Sequence, residues 1–468
     1  MSDTATGILG LITIAALVIT LFKSKTQPAI AFIIWPAILA LILIISGRNS
    51  VKDISAMIAS GFSSVGPTAA LFVFSVLFFG IMTDAGMFDV IIGRLMHLVG
   101  DNVVGVAVVT CIIAMIGHLD GSGASTFCIV IPAMLPVYIR MHMRRTSLLR
   151  ISVLAMGVLN LMPWAGPSSR AASILGIESI DLWQTIMPIQ LFGIVLAFAY
   201  AVMTGLQEKK RGAGLKGDPP DEDITIELLK QGVYPVDSEL SRPKLFIFNI
   251  LLTAAVIAML IWDEFPGYFP FMLGCSIALF VNYGFSAKAH KDIINRHAGP
   301  ALIMCSTLMS ASVLMGVLTS SIGADGKVIS AKTMVLAADA TPSVVRCLAG
   351  LFSGILPQFI GNNLPLVIGV LSVPLALAFD TDSYFYGLMP VIIGIGQNFG
   401  VEAMPIAIAM LVCRNCATFI SPMVPATLLG TGLAEVDIRD HIRNSYLYVW
   451  VFSVFCMLFA LIIGILPL

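Results

Sequence analysis

Runs of about twenty consecutive apolar residues, the length a helix needs to cross a bilayer, recur along this 468-residue chain. They fall at 6–22, 28–46, 65–86, 185–206, 245–262, 268–284, 300–320 and 445–467. A soluble domain keeps about a quarter of its residues charged in order to hydrate its surface. Here 11% are charged and 58% apolar, and the mean hydropathy is +0.97. Lipid must be the solvent over most of the surface, so the chain reads as an all-α membrane protein. The first run opens with Asp3 and lacks a basic flank, which marks a retained span rather than a cleaved leader. A net charge of −1 leaves no basic excess for a nucleic-acid partner. Cys413 and Cys416 form a lone CxxC one helical turn apart; with no second pair or nearby histidine they read as core packing, not a zinc site.

Four apolar stretches are not simple spans. Those around 147–180 and 402–436 are interrupted by proline and glycine. Those at 104–138 and 343–379 are too long for one crossing and polar at the centre, so each reads as a re-entrant hairpin. The segment 207–243 holds 14 of the 53 charged residues and reads as a solvated linker between halves 1–206 and 244–468. Each half then has about five spans plus one hairpin, in the same order, and LGIESID at 175–181 answers TGLAEVD at 431–437. An odd number of spans turns the second half upside down, which predicts an inverted-topology repeat of the secondary-transporter kind. With the linker in the cytoplasm and both termini outside, 19 of the 26 Lys and Arg fall on the cytoplasmic side, in keeping with the positive-inside rule. The first hairpin then opens from the cytoplasm and the second from outside.

Polar residues concentrate where the apolar stretches break. Non-helical backbone at membrane depth is tolerated only where it is buried in protein or lines a wet cavity, and broken helices aim N-terminal amides inward, a setting suited to a carboxylate. The expected substrate contacts are Ser122, Gly123, Ser125 and Thr126 in the first hairpin tip and Trp164, Ser168, Ser169 and Arg170 in the first broken span. The second hairpin tip, read at Gln358–Pro365, adds Asn362 and Asn363, and the second broken span adds Arg414 and Thr427. Trp164 serves equally as an interfacial anchor or as a wall of the site. Arginine suits a carboxylate because its fork is planar and always charged. Asp120, a carboxylate at membrane depth, is the expected coupling-ion residue, the structural alternative being a salt bridge that holds the hairpin. The loop histidines, His297 among them, receive no role. An anion channel would need a polar stripe running down the helices, and an enzyme would need a nucleophile paired with a base or an HExxH-type motif; neither pattern is present.

Three strings, LDGSGASTFCIVIPAMLPVY at 119–138, MPWAGPSSRAASILGI at 162–177 and SPMVPATLLGTGL at 421–433, resemble the citrate–metal:proton symporter family (CitMHS) of the ion transporter superfamily. The resemblance covers essentially the whole chain. It implies an elevator-type carrier of the plasma membrane, with a scaffold domain that forms a homodimer and a mobile domain holding the hairpins and broken helices. It also implies no cofactor and a citrate-like di- or tricarboxylate, often carried with a substrate-bound Mg or Ca ion and driven by protons. Sodium coupling is the alternative, since unwound carbonyls and hydroxyls hold sodium without a carboxylate. The family's hairpin tip tends to read Leu-Asp-Gly-Asp-Gly, whereas Ser122 holds the fourth position here. Divalent ions favour carboxylate oxygens, so that change argues against transport of the metal complex.

Overall fold

The structure, a computed structural model, describes residues 1–23, 27–88, 90–91, 102–214, 240–262, 264–329, 339–352 and 356–467. Most of the expected linker, including Asp218, lies outside the described residues, as do Lys25, Arg94, Lys332 and positions 353–355 of the expected second hairpin. Among the described residues the chain is helical but for one two-residue ribbon, Ser321–Ile322 paired antiparallel with Val328–Ile329. Eight of the helices are long and apolar enough to cross a membrane. Their outer faces carry exposed Ile45, Val195, Ile247 and Leu302, as a surface solvated by lipid requires.

The first half begins with α1 (Asp3–Lys23), α2 (Pro28–Ile45) and α3 (Val51–Asp84). A reciprocal capping box between Ser50 and Asp53 starts α3 where the sequence turns from polar to helical. Next come α4 (Val103–Gly117) and α5 (Gly123–Arg140), the arms of the first hairpin, tied by Thr110 Oγ1 and Tyr138 OH at 3.1 Å. The first broken span is α6 (Arg145–Leu159) followed by α7 (Gly166–Leu175), and α8 (Ser179–Lys210) closes the half. The second half opens with α9 (Phe246–Trp262), α10 (Tyr268–Tyr283) and α11 (Ala287–Thr319). After the ribbon come α12 (Val344–Phe352), the single turn α13 (Gln358–Asn362) and α14 (Leu364–Ala378). A π-helical turn, Ser383–Leu388, runs into α15 (Met389–Asn398). The second broken span is α16 (Ala403–Cys416) and α17 (Pro425–Leu433), and α18 (Ile438–Ile462) ends the chain.

The expected second hairpin tip is displaced. Gln358–Pro365 is not the turn, because Pro365 merely starts α14, and proline is favoured in a first helical turn, where its missing N–H is no loss. The turn between antiparallel arms lies at 379–382. There Asp380 accepts hydrogen bonds from the amides of Asp382 and Ser383, at 3.1 and 3.2 Å, and so starts the next helix. Ser372 Oγ and Tyr384 OH, 2.6 Å apart, join the arms near this tip, and Leu364 packs beside Gly396 near their open ends.

Two groups of helices meet at the centre. In one, α3 and α11 lie against each other, flanked by α2 and α10. Their backbones touch: a Cβ on Gly61 would sit 2.2 Å from Ser312 O, and one on Gly316 2.3 Å from Met57 O. Small residues at such crossings are how membrane helices approach closely without a hydrophobic drive. The other group packs α4 with α6 and α8, α5 with α17, α14 with α16, and α16 with α18. The short helix α7 touches α3 and α11 on one side and α8 and α16 on the other. Cys413 and Cys416 are buried free thiols in this second group.

Candidate functional site

The polar breaks of the sequence meet the α3–α11 pair around one cavity of about 650 Å³, within the range of roughly 300–1,000 Å³ usual for small-molecule sites. The first hairpin tip contributes Asp120, Gly121, Ser122, Gly123 and Ser125, and the first broken span Asn160, Gly166, Pro167 and Arg170. The second tip contributes Thr381 and the second broken span Thr418, Phe419, Val424 and Ala426. The facing wall is Phe72, Val76, Gly80, Thr83 and Asp84 of α3 with Arg296, His297 and Met304 of α11.

Local chemistry explains why the backbone opens here. The chain leaves α6 at Asn160, whose freed carbonyl accepts hydrogen bonds from Ser168 Oγ (3.1 Å) and Asn415 Nδ2 (3.2 Å). Ser169 Oγ likewise donates to Pro163 O, at 3.3 Å. The break is thus satisfied from within, and helix α7 begins again at Gly166 with no side chain capping its first amides. Helix α17 begins in the same way after Val424, also without a side-chain cap. Two open helix N-termini therefore face one cavity, and the partial positive charge of their amides favours an anion between them.

Arg170 stands on α7 inside this arrangement, 6% exposed. Gly166 makes room for it, since a Cβ there would lie 2.5 Å from Nη1. Its Nε donates to Asp382 Oδ1 at 2.6 Å, and Nη2 lies 3.8 Å from the Met304 sulfur. Asp382 thus engages the guanidinium through Nε alone among the described contacts, and Nη2 meets the thioether. Asp120 Oδ1 accepts from the Ser122 amide at 2.8 Å, which shapes the first tip, and Ser122 Oγ accepts from Ser125 N at 3.3 Å. Both remain partly open to the cavity.

The other expected contacts lie elsewhere. Trp164 is fully buried, donates to Leu119 O at 2.7 Å and packs on Phe79 and Phe271, so it fixes the hairpin tip instead of walling the cavity. Thr126 donates to Ser122 O and Gly117 O within the tip, and Ser168 and Ser169 brace the break. Arg414 lies behind the cavity, bonding Thr418 Oγ1 at 2.7 Å and Phe379 O at 3.5 Å, with Tyr384 beneath its guanidinium. Thr427 is buried on α17 beside Ala426, its hydroxyl lacking a partner among the described residues. Asn362 and Asn363 take no part: Asn362 is exposed, and Asn363 Nδ2 donates to Phe359 O. The displaced tip accounts for that failure.

Several residues were missed. Asn160 lines the cavity, while its Nδ2 is buried among protein atoms with no hydrogen-bond partner among the described residues. Its Oδ1 is engaged by His118 Nε2 at 3.0 Å. Thr381 and the carboxylates Asp380 and Asp382 belong to the true second tip, so Asp120 is not the one acid among the hairpin tips. A usable signal existed: Asp380-Thr381-Asp382-Ser383 stands about forty residues before the break in its broken span, as Asp120-Gly121-Ser122 does before the first break. Asp84, inside the expected span 65–86, Arg296, counted only among the cytoplasmic charges, and His297, a loop histidine without a role, all line the site.

The CitMHS family, described as "Citrate transporter", matches residues 3–413. The chain is 30% identical to the "Citrate transporter" of Bacillus subtilis (strain 168) over 459 residues, covering 98% of this chain and 99% of that protein. It is 28% identical to the "Mg(2+)/citrate complex secondary transporter" of the same organism, over 98% of each chain. Among solved structures it is similar to the YdaH transporter of Alcanivorax borkumensis, at 13% identity and a TM-score of 0.49 over 99% of both chains, a likeness too loose to argue from.

Proposed function

This chain belongs to the CitMHS citrate transporter family, and on that premise we propose that it takes up citrate, or a closely related di- or tricarboxylate, driven by protons. It is a multi-pass membrane transporter of the plasma membrane, not an enzyme. The observation that carries the substrate class is the meeting of two uncapped helix N-termini and Arg170 on one cavity. Helix dipoles and a guanidinium recognise carboxylates, and several such groups around one space suit a polycarboxylate. Arg170 is the principal clamp, Ser122, Gly123 and Ser125 contribute from the first tip, and Arg414 holds Thr418 and the second tip in place from behind.

The mode of movement in this reading is an elevator between inverted repeats. The cavity lies where the hairpin-bearing helices meet the α3–α11 pair, so displacement of one group past the other would carry a ligand without opening a continuous pore. The α3–α11 group is then the scaffold that forms a homodimer. The 28% identity to a magnesium–citrate transporter supports a second reading, in which citrate travels with its metal.

Uptake of radiolabelled citrate by proteoliposomes tests the proposal. An inward proton gradient should drive accumulation, and Arg170→Lys, which keeps the charge but loses the fork, should lower citrate affinity by about tenfold or more, the ~1.4 kcal/mol or more that a charge-assisted bond is worth. Accumulation that follows a sodium gradient and ignores pH would overturn proton coupling. Unchanged affinity in the lysine variant would remove Arg170 from the site.

A further inference from the structure

The wall opposite the hairpin tips carries a pair that the anion site does not need. Asp84, the last residue of α3, sets Oδ2 2.9 Å from His297 Nε2 on α11, and its Oδ1 lies 3.8 Å from Arg296. Both members of the pair line the cavity, their side chains 10% and 20% exposed. The fold makes space for the imidazole. Gly80, one turn before Asp84, would place a Cβ 2.6 Å from the His297 ring.

We propose that His297, oriented by Asp84, is the residue that binds and releases the transported proton. The inference rests on the reading of proton-driven citrate uptake. Imidazole is the side chain whose charge ordinarily changes between pH 5 and 8. With Nε2–H donated to Asp84, Nδ1 is the position that takes a proton from hydronium on the outer side, an O–H bond breaking as N–H forms, and passes it to water on the inner side, where N–H breaks and O–H forms. Charge couples the two cargoes: an anion in the cavity favours imidazolium, and imidazolium favours the anion by the same factor.

The charged groups around His297 fit this arrangement. Asp84 and Arg296 flank it, and Asp120 lines the same cavity from the first hairpin tip. Arg170 of α7 lines the same space. Neither α2 nor α10 contributes a charged side chain, and Arg346 of α12 lies by Thr319, at the other end of α11.

The test is the number of protons carried per citrate, measured with an internal pH dye and radiolabelled citrate in proteoliposomes of the full chain. The ratio does not depend on how fast a variant works. His297→Gln keeps a donor for Asp84 but cannot titrate, and should carry about one proton fewer per citrate and lose accumulation driven by a pH gradient. Asp84→Asn should lower the ratio by a smaller amount, and it decides the matter if the glutamine variant yields too little citrate flux to read. An unchanged ratio in these variants overturns the proposal while leaving citrate transport intact. A wild-type protein that moves citrate without protons sinks the underlying reading instead, before any variant is made.

Discussion

Arg170 was legible in the sequence because a guanidinium among apolar residues has few reasons to exist other than a counter-charge or a ligand. Its partner was not legible, because Asp382 sits in a turn that an apolar-stretch reading passes over. Asp382 holds the Arg170 Nε at 2.6 Å, a place that a carboxylate of the proposed citrate substrate would use. Side chains of the pair are 8% and 13% exposed, and an uncompensated buried charge costs about 3–5 kcal/mol. Asp382→Asn should therefore lower the melting temperature of the ligand-free protein. Added citrate should then raise that temperature by more than it does in the wild type, because the ligand supplies the missing carboxylate. Equal citrate-induced shifts in the two proteins, read by thermal unfolding in detergent, would show that Asp382 and citrate do not share Arg170. Asn160 teaches the same lesson on a smaller scale: a single amide in a broken span looks like packing until the residue is found lining the cavity.

Elements were most readable where polarity and helix breakers coincide. The hairpin expected at 104–138 is found as Val103–Gly117 and Gly123–Arg140, and the broken spans divide at the expected Pro-Trp-Ala-Gly and Ser-Pro-Met-Val strings. The second hairpin failed because Asn362-Asn363 before a proline looks like a re-entrant tip. The true tip at 379–382 is short and flanked by aromatic residues that conceal its polarity. Helix contacts were not legible at all, since glycine spacing in an apolar run does not say which partner the glycine meets. The α3–α11 crossing gives the corresponding prediction. Gly316→Ala pushes a methyl against Met57 O and should destabilise the protein by about 1–3 kcal/mol, as overpacking does. Gly432→Ala, on α17 with nothing within 4 Å, should be neutral or stabilise by up to about 1 kcal/mol through helix propensity. Thermal unfolding of the two variants side by side checks the contrast, and a neutral Gly316→Ala would contradict the close crossing.

At the scale of the whole molecule, composition alone dictated membrane burial, and the Lys and Arg bias predicts an orientation, but neither says what charge crosses with the substrate. That depends on the balance inside the cavity, where Asp84 and Asp120 stand against Arg170, Arg296 and two helix N-termini. Free citrate brings up to three negative charges and uses the basic groups directly. A magnesium complex brings fewer and leaves metal charge for carboxylates to meet. Ser122 occupies the tip position where a second acid would stand beside Asp120, and it presents a neutral hydroxyl that also caps Ser125 N. The balance therefore favours the free anion, and at constant total citrate, uptake by the unmodified protein should fall as magnesium rises and removes free substrate. Aspartate caps a helix as well as serine does, so Ser122→Asp keeps the tip folded while adding the charge. That variant should lose magnesium inhibition and move towards stimulation. Because the two modes differ in sign, one titration separates them: magnesium-stimulated uptake by the unmodified protein would mean that Asp120, with Asp84 across the cavity, suffices to meet the metal, and that citrate is carried as the complex.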